Sequence, residues 1–348
     1  MSGQGYNALS RLVHRLALQY NAIAEISFDI ENAVLRKPGP VAGNHVFVSG
    51  LARSGTTSLM EYLHQTGRFK SLTYQDMPFI LMPNLWKKLS GRQAAGLTRE
   101  RAHKDGVNID FDSPEAFEEV FWRVFCGKDY ILTDRLQIHR VSAEVSKKFK
   151  IYVANVLAGG DSPLQTRYLS KNNNNILRLG YLQKNFPESF VIITFRHPLH
   201  QSNSLLQQQN NFVKIQSDDK FALDYMNWLG HFEFGLNQKS FFLGDEILFN
   251  SMLEQAKSSI NFWLLNWKNY YQYALQHAAG NTIFFNYEEF CNNPGQSLDR
   301  LFKKISIDSL GLQPVVFNKQ QKLVEAFDKD LLDKCLSIYK SLVTKAGG

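Results

Sequence analysis

Cysteine is scarce in this chain: Cys126, Cys291 and Cys335 are the only three among 348 residues. Their spacing matches neither a disulfide framework nor a zinc site, so a reducing compartment, and by default the cytoplasm, is expected. No stretch approaches ~18 consecutive apolar residues, and the first forty residues hold no uninterrupted apolar core, so neither a membrane span nor a signal peptide is expected. Internal repeats are absent, and low-complexity sequence is limited to Asn172–Asn175. With 44% hydrophobic and 20% charged residues the composition is that of a globule, which excludes disordered and fibrous classes. The 39 Lys and Arg exceed the 32 Asp and Glu, giving a net charge of +7, yet they are spread along the chain. That balance suits an anionic ligand and does not form the basic arm of a nucleic-acid binder.

What remains is an alternation of short apolar runs with helical patterns. His45 to Ser49, Tyr168 to Ser170, Phe190 to Phe195 and Thr282 to Phe285 read as buried strands separated by helical sequence. The spacing predicts an α/β fold of three layers, a central parallel sheet flanked by helices. One domain over 1–348 is expected, with an N-terminal amphipathic helix in 1–40, a core over 45–305 and a helical extension over 306–348. In the first of these, Leu9, Leu12, Val13, Leu16, Ile26, Ile30 and Val34 recur at helical spacing between Ala8 and Leu35, and the stripe is expected to pack on its own domain; peripheral membrane contact stays open. Between Phe79 and Gly160 the pattern is mostly helical, with a start signal at Asp112-Ser113-Pro114-Glu115.

Chemistry concentrates where the first strand turns into a helix, at Gly50-Leu51-Ala52-Arg53-Ser54-Gly55-Thr56-Thr57-Ser58. A glycine-rich turn there aims backbone N–H groups and the positive end of a helix at a phosphate. An ATP-hydrolysing loop needs a lysine where Thr56 stands, so a kinase is the second reading and a catalytically inactive nucleotide-binding protein the third. After the Phe190 to Phe195 strand, Arg196 stands two residues before Pro198 and eight before Ser204; Arg196 offers a forked donor pair to a second phosphate and Ser204 a hydroxyl, with Ser202 a weaker choice.

The first segment resembles the 5′-phosphosulfate loop of the sulfotransferases that use 3′-phosphoadenosine-5′-phosphosulfate (PAPS), in its arginine variant, and the second resembles that family's 3′-phosphate site. A third resemblance covers Asn286-Tyr287-Glu288-Glu289-Phe290, where both acids are expected to be structural. These elements span 45 to about 305. The loop arginine and the absence of an R-K-G segment near the C-terminus point to the bacterial, carbohydrate- or protein-modifying branches. The resemblance implies transfer of a sulfuryl group from PAPS to an acceptor hydroxyl, on a carbohydrate or glycolipid, without a metal. Arg53 would contact the bridging and sulfuryl oxygens, and Ser54, Gly55, Thr56, Thr57 and Ser58 would hold the 5′-phosphate.

Such a transfer needs a base for the acceptor hydroxyl. Asp76, in Tyr74-Gln75-Asp76-Met77-Pro78, is the first candidate, with capping of a following helix as its alternative. Glu115, Glu118 and Glu119 are expected on one helical face opposite Phe117 and Phe121, and one of them is the second candidate. His103 is the third. Lys171, at the end of the Tyr168 to Ser170 strand, would stabilise charge on the bridging oxygen. Arg178 is read as binding an acidic sugar or forming a salt bridge, and Trp86, Trp122, Trp263 and Trp267 as core.

Overall fold

In a computed structural model the chain is described over residues 8–35, 43–90, 99–100, 108–109, 115–159, 166–308 and 326–347. Strands β1 (Val46–Ser49), β2 (Phe69–Lys70), β3 (Arg167–Lys171), β4 (Phe190–Phe195) and β5 (Thr282–Asn286) form one parallel sheet in the order β2-β3-β1-β4-β5. The order reverses around β1, whose neighbours on either side both come later in the chain. Ligands bind at such a reversal, outside the carboxyl ends of the strands.

The strands are apolar on both faces because both are covered. Val46, Val48, Leu169, Ile192, Ile283 and Phe285 pack on Leu59 and Leu63 of the helix Thr56–Gln65 and on Leu298, Leu301 and Phe302 of Pro294–Lys304. Phe47, Val191, Ile193, Phe195 and Phe284 join the opposite core, with Phe149 and Tyr152 of Ala143–Ala158 and Trp267 and Tyr271 of Ile260–His277. The four anticipated strands are present within a residue or two at each end. β2 is an edge of two residues, too short to carry an alternation.

Two expectations fail, each for a physical reason. The N-terminal amphipathic helix is two helices, Ala8–Gln19 and Asn21–Val34, broken at Tyr20, whose backbone is extended. Arg123 holds that break by donating to the Leu18 carbonyl at 2.6 Å and to Asn21 Oδ1 at 2.9 Å. The apolar stripe does not pack inward: Leu9, Leu12, Leu16, Ile26, Ile30 and Val34 are exposed, and Ala17, Leu18, Ala24 and Phe28 are buried instead. Glu31 explains the orientation. Its buried carboxylate accepts the backbone N–H of Asn84 (2.9 Å) and Leu85 (3.1 Å), capping the helix Pro83–Leu89 and fixing the Ala24, Ser27, Phe28 and Glu31 side of its own helix inward.

The acidic segment also differs. The helix begins at Glu119, with Glu118 at its N-cap, so Glu115 precedes it and the three acids share no face. All three are buried, as are Phe117 and Phe121. Asp112, Ser113, Pro114 and His103 lie outside the described residues. Among the described residues no helix is long and apolar enough to cross a membrane.

Candidate active site

The loop after β1 is held open by contacts from three other elements. Gly50 abuts β4, so a Cβ there would fall 2.4 Å from Thr194 Oγ1, and Ser54 Oγ shares a hydrogen bond with the same Thr194 hydroxyl at 2.7 Å. Arg53 has φ +70°, a left-handed conformation that costs a non-glycine residue about 1 kcal/mol. It persists because the preceding backbone is pinned: the Gln201 amide donates to the carbonyls of Leu51 (2.9 Å) and Ala52 (3.0 Å). Thr56, Thr57 and Ser58 then form the first turn of Thr56–Gln65, whose leading N–H groups have no partner within the helix.

The second phosphate motif meets the first. Arg53 Nε donates to Ser204 Oγ at 3.0 Å, joining residues 151 positions apart. Pro198 opens the helix Pro198–Asp218 that carries both Gln201 and Ser204. Gln201 is fully buried, and its side-chain oxygen accepts from the Trp267 indole at 3.0 Å, which reaches the Arg196 carbonyl at 3.1 Å. Tyr271 donates to the Thr194 carbonyl at 2.9 Å. Gln201 and Tyr271 escaped the sequence reading, and Trp267 was read there as core alone. Gln201 stands three residues before Ser204 on the same helical face, which was the available signal, and Trp267 serves the site besides filling the core. Ser202 is buried with no partner for its hydroxyl.

The Tyr287-Glu288 element links the two motifs. The Tyr287 ring lies against Gly55, where an added Cβ would come within 2.0 Å of its Cδ2 atom, and the Arg196 guanidinium sits 5.6 Å from the ring centroid. Glu288 accepts the His197 N–H at 2.8 Å and stands 3.6 Å from Arg196 Nε. Burial raises the Glu288 carboxyl above its ordinary range, against the opposing pull of that N–H and of Arg196. Glu289 pairs with Arg300, while Glu288 holds the backbone beside Arg196. Because Gly55 also has φ +87°, Gly55→Ala is expected to displace the Tyr287 ring, lower stability by about 1–3 kcal/mol and weaken nucleotide binding at least ~10-fold, as thermal melts and calorimetry would read.

On the other side of β1 the register sets Lys171 opposite Val48, and the Asn172 N–H donates to the Val48 carbonyl at 2.9 Å. Lys171 Nζ lies 3.9 Å from Glu115 Oε1, and Tyr74 donates to Glu115 Oε2 at 3.0 Å. The structure thus brings Glu115, Lys171 and Tyr74 together at the carboxyl edge beside the loop. Asp76 is turned to local use: its Oδ2 accepts the Thr73 N–H (2.7 Å) and hydroxyl (3.3 Å), closing a capping box on its own turn, Tyr74–Asp76. Burial raises its pKa despite those bonds and the nearby Lys70 and Lys87. Glu118 accepts from Tyr168 (3.0 Å) and the Trp122 indole (3.1 Å), while Glu119 is paired with Arg178 at 2.8 Å in the interior, which resolves Arg178 as a salt bridge.

A parallel sheet with the Gly50–Ser58 turn and the Arg196–Ser204 segment converging at its reversal point defines a three-layer α/β protein of the phosphate-loop type, a fold whose ligands gather at the carboxyl edge. The sequence profile of the Sulfotransferase family matches residues 45–309, most of the chain, and the protein belongs to that family. Its fold is similar to that of a sulfotransferase from Mycobacterium tuberculosis, with a TM-score of 0.51 at 12% identity, covering 99% of this chain and 85% of that one. A sulfotransferase from Mycobacterium avium aligns at 14% identity over 95% of this chain and 74% of its own, with a TM-score of 0.47. No curated protein sequence matches. At these identities the structural likeness speaks to fold alone.

Proposed function

We propose that this sulfotransferase uses PAPS and sulfates a hydroxyl of a carbohydrate or glycolipid. The contact between Arg53 and Ser204 carries the reading, because it makes one site of two motifs that bind opposite ends of such a nucleotide. The side chains also fit a 3′-phosphate: Arg196 Nε is buried and makes no hydrogen bond, its nearest acid lying 3.6 Å away. An arginine left in that state supports a ligand that completes its bonding.

PAPS supplies an activated sulfuryl group on a good leaving phosphate. The chain's own residues do the rest. The amides of Ser54 to Ser58 and the hydroxyls of Thr56, Thr57 and Ser58 would hold the 5′-phosphate, the Ser54 hydroxyl being bonded to Thr194, and Arg196 with Ser204 would hold the 3′-phosphate. Arg53, fixed by Gln201 and Ser204, stabilises negative charge where it grows in the transition state. Glu115 takes the proton of the acceptor hydroxyl, and Lys171 stands beside it to steady charge on the bridging oxygen. Asp76 is the alternative base, favoured by its raised pKa.

Calorimetric titration with adenosine 3′,5′-bisphosphate without magnesium tests the reading. Micromolar binding that ATP does not match, weakened at least ~10-fold in Arg196→Ala, is expected. A magnesium-dependent preference for ATP would promote the kinase, and no binding to either nucleotide would overturn the reading.

A further inference from the structure

The N-terminal helix pair carries a second apolar strip, and this one faces solvent. Leu9, Leu12 and Leu16 on Ala8–Gln19, with Ile26, Ile30 and Val34 on Asn21–Val34, are between 42% and 69% exposed, and Tyr20 at the break is 45% exposed. A single exposed leucine is ordinary, but a strip on each of two adjoining helices, repeated every three or four residues, is not. The pair has no freedom to roll inward. Its other side is already committed through Ala17, Leu18, Ala24 and Phe28 in the core, Glu31 on the helix Pro83–Leu89, and Arg123 on the turn between the helices.

The flanking charges indicate what covers the strip. Ala8–Gln19 contains Arg11 and Arg15 and no acid. Asn21–Val34 contains Glu25 and Asp29, both exposed, and no Lys or Arg. Arg11 reaches toward Asp219 at 3.8 Å, and Arg15 rests on Gln19 at the surface. An anionic bilayer would attract the first helix and repel the second. A second copy related by a two-fold axis meets both demands, since the basic helix of each then lies against the acidic helix of the other, and any contact made one way is repeated in reverse.

We propose that this face is a homodimer interface, in which the two helix pairs close on one another as a four-helix seam with Leu9, Leu12, Leu16, Ile26, Ile30 and Val34 at its centre. Helices of 12 and 14 residues are roughly 20 Å long, so the buried area falls at or below the low end of about 1,200–2,000 Å² for specific interfaces. The dimer should therefore dissociate in an accessible concentration range. Nothing in the inference depends on the sulfuryl donor or acceptor.

Sedimentation of the whole chain from about 1 to 100 µM tests it. Wild type is expected to move from monomer to dimer across that range. The Leu12→Asp/Ile26→Asp variant should stay monomeric while keeping the wild-type melting temperature and circular dichroism, which separates lost association from lost folding. At low salt, Arg15→Glu should raise the dissociation constant roughly fivefold, and adding Glu25→Arg and Asp29→Arg should return it. A wild type that is monomeric throughout, or a dimer indifferent to the Leu12 and Ile26 changes, overturns the interface. A dimer indifferent to the charge changes overturns the crossed arrangement. A monomer that floats with vesicles rich in phosphatidylserine, and loses that binding with Leu12→Asp/Ile26→Asp, assigns the face to membranes instead.

Discussion

Arg178→Met is expected to cost the fold about 3–5 kcal/mol, a fall in melting temperature on the order of 5–10 °C. Arg178 and Glu119 are both almost wholly buried, and the guanidinium meets the carboxylate through two bonds, at 2.8 and 3.2 Å. Its flat face lies 4.6 Å from the Trp122 ring centroid and 5.1 Å from that of Tyr130. Methionine fills much of that volume but leaves a carboxylate in the interior with no cation. Burial alone would push the Glu119 carboxyl up; the Arg178 charge, helped by Tyr130 and Asn172, outweighs it and holds Glu119 below its ordinary value of 4.5.

The sign of the pH dependence follows. In the wild type the ionised pair contributes stability above the unfolded carboxylate pKa and loses it as the pH falls through the depressed folded value. In Arg178→Met burial is opposed only by the hydrogen bonds from Tyr130 and Asn172, Glu119 is raised, and the variant becomes relatively more stable as the pH falls. The gap between the two proteins should therefore narrow toward acid, as melts at a series of pH values would read. Removing the acid too, in Arg178→Met/Glu119→Leu, should recover most of the loss. The pair also matters to the site, because Glu119 accepts from Asn172 at 2.7 Å, the residue next to Lys171 whose N–H pairs with β1.

How much of this was legible depends on how local each cause is. β1, β3, β4 and β5 could be read because a strand buried on both faces is a continuous apolar run, whatever it packs against. Arg53, Arg196 and Ser204 could be placed near the carboxyl edge of the sheet because each sits at a fixed offset from a strand end. The direction of the N-terminal stripe could not. Amphipathic spacing says that a helix has two sides, and which one faces inward was decided by Glu31 capping a helix more than fifty residues later. The acids at 115, 118 and 119 misled for a similar reason. Helical spacing assumes a helix, and this one starts only at Glu119, so the position of Glu115 is set by Tyr74 and Lys171 rather than by periodicity. Gln201, Tyr271 and Glu288 act on backbone groups far away in sequence: the carbonyls of Leu51 and Ala52, the carbonyl of Thr194 and the N–H of His197. A polar side chain that serves distant carbonyls leaves no pattern around itself.

Glu115→Gln is expected to lower kcat by about 10²–10⁴-fold while changing the affinity for adenosine 3′,5′-bisphosphate by less than about twofold. The amide keeps the shape and an acceptor for the Tyr74 hydroxyl but removes the charge facing the buried Lys171, so thermal melts run beside the kinetics separate a folding loss from lost proton removal. The acid limb of the pH–rate profile should disappear with it. Asp76→Asn is the necessary companion. Its Oδ2 atom is bonded to the Thr73 N–H and hydroxyl, and the turn it closes carries Tyr74, which in turn bonds Glu115. Asparagine retains an acceptor oxygen, so the expected result is a loss of about 1 kcal/mol in stability and a fall in kcat of only a few-fold. If Asp76→Asn instead removes the acid limb and Glu115→Gln does not, the base is Asp76, and its raised pKa is the reason it can serve. If neither variant moves kcat by more than about tenfold, proton removal contributes little to the barrier, and the rate rests on Arg53, Lys171 and the loop amides alone.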